Sequence, residues 1–200
     1  MEQDKINKLE KLKKEIEDEF GKNKVWFFLD SEGYPVVRET KVKGYLGTQN
    51  IMFVAEIPIE RNSNKDAIEK DEKNWKPSKN DKILYTTLNK FGFENAHLTD
   101  LVKLLKTQKE AEEFFKNIER IENQKVFQKQ IEYLREEYNI IQPKIIIAMS
   151  RGCEKYLINI FGKEKVKYIY HYSYVGRYNK TKEYHEQMKE IKEEYEELRG

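Results

Sequence analysis

Five consecutive apolar residues, Ile51-Met-Phe-Val-Ala55, are followed by a carboxylate, Glu56, and then by Pro58. An unalternating run with β-branched and aromatic members fits a strand covered on both faces. Pro58 cannot continue a ladder, because its nitrogen carries no hydrogen to donate. Glu56 therefore sits where a buried strand opens into a loop. In open α/β sheets the carboxyl ends of parallel strands are where ligands bind. Glu56 is the first candidate site residue.

The rest of the chain supplies the helices such a strand needs. Ile6, Leu9, Leu12, Ile16 and Phe20 recur at helical spacing and predict an N-terminal helix over 1–22 that packs on the domain. Val25–Leu29, a turn at Ser31-Glu-Gly-Tyr-Pro35, and Val36-Val37 predict a hairpin. Residues 59–81 are polar and read as a long loop around Trp75. A helix is expected over Ile83–Phe91, then a short strand over Ala96–Thr99 ending at Asp100. Lys109–Tyr138 reads as helical, with a break in the apolar phase near Asn123. Ile145–Met149 is a second fully apolar strand; Ser150-Arg-Gly152 reads as a tight turn, and Cys153–Phe161 as a helix. Val166–Tyr170 is the last strand, and a charged amphipathic helix closes the chain over 180–199.

Strands that alternate with helices require crossovers, so the sheet is expected to be parallel and covered on both faces. The predicted class is α/β: a three-layer α/β/α domain around a mainly parallel four-stranded sheet, with the terminal helices as additions. No internal repeat or linker divides it, and one domain over 1–200 is expected.

Composition narrows the function classes. Charged residues make up 37% of the chain and apolar ones 38%, which predicts long solvated helices around a modest core. The formal charge of +2 neither demands nor excludes a nucleic-acid partner. One cysteine, Cys153, allows no intramolecular disulfide and no cysteine-built cluster. It reads as a small buried hydrophobe, although a helix start could lower its thiol pKa. The charged first twenty residues do not form a signal peptide, and no apolar run approaches a membrane span. A soluble, cytoplasmic monomer without metal or cofactor is expected. His97 reads as a packed histidine and His185 as a solvated one.

The residues at the strand ends are more informative. Glu56 comes after the first strand, Asp100 after the second, Ser150 and Arg151 after the third, and His171 and Ser173 after the fourth. A parallel sheet delivers all of these to one edge, where hydrogen-bonding and acid–base groups would converge. Tyr172, Tyr174 and Tyr178 lie just beyond, with Arg177 among them, and offer stacking faces beside a cation.

These segments resemble the uracil-DNA glycosylase superfamily, in particular its thermostable and archaeal branch. Val54-Ala-Glu-Ile-Pro58 is similar to that branch's Gly-Glu-Ala-Pro-Gly motif. Ala96-His-Leu-Thr-Asp-Leu-Val-Lys103 is similar to its Thr-Asn-x-Val-Lys segment. Gln142 to Arg151 resembles the strand that leads into Leu-Gly-Arg, and His171-Tyr-Ser173 the His-Pro-Ser motif of the DNA-intercalating loop. The resemblance implies a flipped base bound at the strand ends and cleavage of its N-glycosidic bond. Glu56 would position or activate water, and His171 would stabilise charge on the departing base. Asp100 would read the base, and Trp75 would stack on it. Ser150, Arg151, Ser173, Tyr174 and Arg177 would hold phosphate or nucleic acid. DNA is the implied partner.

The departures bear on specificity. Ala55 and Ile59 stand where the motif has glycines, Asp100 where it has asparagine, and Tyr172 where it has proline. An ionised Asp only accepts hydrogen bonds, whereas Asn donates and accepts, so a base other than uracil is expected. The branch's cluster-binding cysteines are absent, so no iron–sulfur cluster is expected. Two other functions use the same edge: a non-catalytic nucleic-acid-binding protein, and an enzyme acting on a nucleotide or other small molecule.

Overall fold

The computed structural model describes residues 2–20, 28–29, 35–36, 49–56, 79–93, 96–103 and 108–199. Seven α-helices lie among them: α1 (Glu2–Phe20), α2 (Lys79–Phe91), α3 (Gln108–Lys116), α4 (Ile121–Ile141), α5 (Arg151–Phe161), α6 (Tyr172–Tyr178) and α7 (Thr181–Glu197). β1 (Phe28–Leu29) and β2 (Pro35–Val36) pair antiparallel, as the hairpin reading expects. β3 (Ile51–Ala55), β4 (His97–Asp100), β5 (Ile145–Ala148) and β6 (Val166–Tyr168) form one parallel sheet in the order β4-β3-β5-β6.

The unalternating run at Ile51 now has its cause. Phe53 on one face of β3 packs with Leu84 and Leu88 of α2, Val175 of α6, and Tyr184 and Met188 of α7. Met52 and Val54 on the other face pack with Phe114 of α3, Ile131 and Leu134 of α4, and Leu157 of α5. All five residues of β3 are buried, because both faces carry helices. The architecture is a three-layer α/β/α sandwich. α1 lies outside these layers, with Leu9, Leu12 and Ile16 against Tyr133 and Ile141 of α4. Much of the high charge content lies on helix surfaces, as in the i,i+4 pairs Lys189–Glu193 and Lys192–Glu196 of α7.

Several boundaries differ from the sequence expectation. The phase break near Asn123 marks two helices, as that reading allows, but the break itself lies at 117–120 and the second helix runs on to Ile141. Arg151 and Gly152 are the first turn of α5 and not a separate turn, because the Ser150 hydroxyl accepts from the Cys153 N–H and caps the helix there. His185 is half-buried against Phe91 instead of solvated, with ring centroids 5.7 Å apart. Residues 172–178, read as a loop, form α6. His171 caps its start and Asn179, in the left-handed region, ends it. Gly176 lets α6 approach α2: a Cβ there would stand 2.3 Å from Asn80 Oδ1 and 3.1 Å from Ile83 Cδ1.

Candidate active site at the strand ends

The chain leaves β3 in one direction to form β4 and later places β5 on the other side of β3. The crevice between the carboxyl ends of β3 and β5 is therefore the topological switch point of the sheet. Two sequence-predicted residues meet there. The Ser150 hydroxyl donates to Glu56 Oε2 at 3.1 Å while accepting from the Cys153 N–H at 3.0 Å. The ladder continues past the strand ends and fixes both residues: Met149 N–H donates to Val54 O, and Val102 N–H donates to Glu56 O. Glu56 thus lies over the N-terminus of α5, where the helix dipole favours a negative charge. Gly152 makes room for it, since a Cβ there would stand 3.2 Å from Glu56 Oε2. No described residue donates to Oε1.

Cys153 is buried in the next turn, its sulfur 3.4 Å from Val54 O. Burial pushes its thiol well above the ordinary range, with the Glu56 and Asp100 carboxylates adding to the rise. The helix start does not activate it, and it packs as a small hydrophobe.

Asp100 closes the other side of β3, paired in register with Ala55. Burial pushes its carboxyl from 3.8 up to about 7; the nearby Lys103 ammonium opposes the rise and Glu137 adds to it. Lys103 is engaged elsewhere. Its Nζ lies 2.8 Å from Glu137 Oε1 and donates to the Asp100 backbone carbonyl at 2.7 Å. Glu137 Oε2 also meets His97 Nε2 at 3.0 Å, and all three side chains are at most 1% exposed. Burial alone would raise the Glu137 carboxyl; Lys103 and His97 outweigh it and hold that carboxyl below the usual range. The Lys103 N–H donates to Gln130 Oε1 at 2.8 Å. Sequence reasoning did not assemble this ionic core behind β4. Its signal was a lysine inside an apolar segment, and Gln130 and Glu137 on the apolar stripe of α4.

His171 sits at the end of β6 as the cap of α6. Its Nδ1 lies 2.6 Å from Ser173 Oγ and accepts from the Ser173 N–H at 3.3 Å. Burial pushes its pKa down to about 4, so the ring is neutral near pH 7. With Nδ1 as acceptor, the ring proton resides on Nε2. The Ser173 hydroxyl, expected at a phosphate, directs its hydrogen to this ring. At about 4.8 Å per strand, the β3 and β6 tracks lie about 10 Å apart and the β4 and β6 tracks about 14 Å apart. Glu56 and His171 therefore flank the crevice rather than touch.

Arg151 points outward, pairs with Glu154 at 2.7 Å and covers the Tyr168 ring at 3.7 Å. Tyr174 and Arg177 are exposed on α6. Trp75 and Ile59 lie outside the described residues. An open depression of about 260 Å³ lined by Glu113, Phe114, Asn117 and Arg120 lies at the α3–α4 junction and touches none of the strand-end residues. Among the described residues no cluster of His, Cys, Asp and Glu is arranged to hold a metal ion, and no helix is long and apolar enough to cross a membrane.

The family model described as Uracil DNA glycosylase superfamily matches residues 44–196, more than half of the chain and every strand of the parallel sheet. No curated protein matches the chain.

Proposed function

We propose, on the premise that the chain belongs to the uracil DNA glycosylase superfamily, that it removes a damaged or deaminated base from DNA by hydrolysing the N-glycosidic bond. The observation that carries the reading is the Glu56–Ser150 contact at the switch point of the sheet. A base swung into this crevice leaves its sugar near a carboxylate, and a carboxylate is the group that a developing oxocarbenium ion requires. Ser150 holds Oε2 and leaves Oε1 to accept from a water. As the C1′–N bond breaks, its electron pair stays with the base. The water oxygen bonds to C1′, and its proton goes to Glu56 and then to solvent or the departed base. His171, neutral and carrying its proton on Nε2, donates a hydrogen bond to the leaving anion without transferring the proton. Ser173 orients that ring, and Arg151, Arg177 and Tyr174 hold the DNA outside.

Asp100 sets the base preference. Its carboxyl titrates near neutrality, so its neutral form offers a donor and an acceptor as Asn does, and its ionised form only accepts. Bases presenting a carbonyl suit the first form, and rings presenting N–H groups suit the second. The choice of base therefore shifts with pH.

The test is single-turnover release of uracil, hypoxanthine and xanthine from single-stranded and duplex DNA by wild type and Glu56→Gln. Wild type releases at least one of them, and the variant is slower by about 10²-fold or more. If folded wild type releases none of them, the proposal is refuted. A non-catalytic nucleic-acid-binding protein is the second reading, favoured by the same contact, because a carboxylate on a helix N-terminus also stabilises that helix. That reading predicts that Glu56→Gln costs stability and leaves DNA binding intact, with no base release at any stage.

A further inference from the structure

We infer that the tyrosines running from β6 along α6 form a track for single-stranded DNA, on which nucleotides flanking the target stack against Tyr174 and Tyr178. The inference rests on the reading that the strand-end crevice takes a flipped base. The rings touch in series. Tyr168 meets Tyr170 edge-on at 5.8 Å, Tyr170 meets Tyr174 at 5.3 Å and 30°, and Tyr174 meets Tyr178 at 4.6 Å and 41°. The Arg151 guanidinium closes the inner end over Tyr168. The outer end is open, with Tyr174 42% and Tyr178 55% exposed.

Helix α6 does not need these rings for its own packing. Val175 is its buried residue, and Asn179 ends it. A Tyr–Leu pair four residues apart supports a helix much as a Tyr–Tyr pair does. Two large exposed aromatics on a seven-residue helix are therefore a surface, and their position says for what. Arg151 comes directly after Ser150, the partner of Glu56, and Tyr170 precedes His171. A strand that inserts one base into the crevice runs directly onto the ladder.

The surrounding charge fits a polyanion held mainly by stacking. Arg177 is exposed and forms no ion pair with a described residue, while Arg151 and Lys180 are offset by Glu154 and Glu183. Bases in a duplex are stacked on one another and offer no free faces. Unpaired bases do, and each has a π-face regardless of sequence.

Anisotropy with an undamaged DNA oligonucleotide of about 12 nucleotides, within the site sizes of such tracks, tests the inference beside the matching duplex and RNA. Wild type binds the single-stranded DNA most tightly. Tyr178→Ala weakens it by roughly 5- to 100-fold, as loss of one base–aromatic stack does, and Tyr178→Phe restores it. The salt slope is shallow, between about −0.7 and −2, as expected for one to three neutralised phosphates. Equal binding by folded Tyr178→Ala overturns the ladder, as does tighter binding of duplex or RNA. Base release by wild type alongside Tyr178-independent binding leaves the glycosylase reading standing and removes the ladder. Tyr178-dependent binding with no release of any base does the reverse.

Discussion

Asp100→Asn separates a neutral carboxyl from an ionised one at the edge of the crevice. Burial raises the Asp100 carboxyl from 3.8 to about 7. Each pH unit of difference is worth about 1.36 kcal/mol, so a rise of about three units corresponds to about 4 kcal/mol. Asp100 is half-buried rather than sealed, and solvent screening reduces this to about 2–3 kcal/mol. The sign comes from proton linkage. The folded state holds the proton more tightly than the unfolded chain, so the contribution is full below about pH 4. It falls as pH rises and is lost above about pH 7. Asn cannot ionise, and two buried acids coupled to Asp100 titrate outside this range in the folded state, Glu137 below it and Cys153 above it. Urea unfolding at pH 5 and pH 9 therefore isolates Asp100. The stability of wild type relative to Asp100→Asn is expected to fall by about 2 kcal/mol between these values, since part of the loss already lies below pH 5. A change below about 0.5 kcal/mol would show that the carboxyl is ionised throughout. It would also remove the argument that the base preference depends on pH.

The other predictions concern the groups that hold the site. Glu137→Leu strands the buried Lys103 ammonium and should cost about 3–5 kcal/mol, or about 6–20 °C in Tm for a chain of this size. Lys103→Met with Glu137→Leu should recover most of it, and equal melting of both variants and wild type would show the pair to be inert. In wild type, the Glu137 contribution is present above the ordinary carboxylate pKa and is lost as pH falls through its lower folded value. Gly152→Ala improves helix propensity by about 0.5–1 kcal/mol but brings a Cβ to 3.2 Å from Glu56 Oε2. Unfolding should show stability kept or raised, and base release should fall by about tenfold or more as the carboxylate shifts; unchanged release would remove Glu56 from the mechanism. Nitrogen-15 spectra of His171 should show Nδ1 unprotonated and Nε2 protonated from pH 5 to 8, above its folded pKa of about 4. Ser173→Ala should mix the two tautomers and slow release about 2- to 10-fold. An imidazolium signal at pH 6 would contradict the neutral ring.

Where the sequence was legible, a repeating pattern made it so. Ile51–Ala55 and Ile145–Ala148 are apolar because helices cover both faces, so their lack of alternation showed both the strands and the layers. Parallel pairing is then a consequence of the crossovers, and the polar residue after each strand falls on one edge. Where partners lie far apart in sequence, no local pattern joins them. Lys103 and Glu137 form an ion pair because β4 and α4 pack together, and neither residue's neighbours encode the other. The helix at Tyr172–Tyr178 was missed for a related reason. Seven residues with one buried position carry no period, and the elements that fix it are two caps and a close approach to α2 at Gly176.

The same distinction explains what became of the Glu56 stretch. Its strand and its carboxylate could be read directly, but the partners that give the carboxylate a direction are Ser150 and Gly152, almost a hundred residues later. Ser150 serves two ends with one hydroxyl: it caps α5 and orients Glu56. A change at Ser150 therefore disturbs the cap and the carboxylate together. Ala55, where a glycine would leave more room, is 8% exposed and paired with Asp100. Its methyl group therefore fills part of the space beside Asp100. In the proposed reaction, base specificity rests on one pair of in-register positions, Ala55 and Asp100, and the Glu56–Ser150 contact supplies the chemistry.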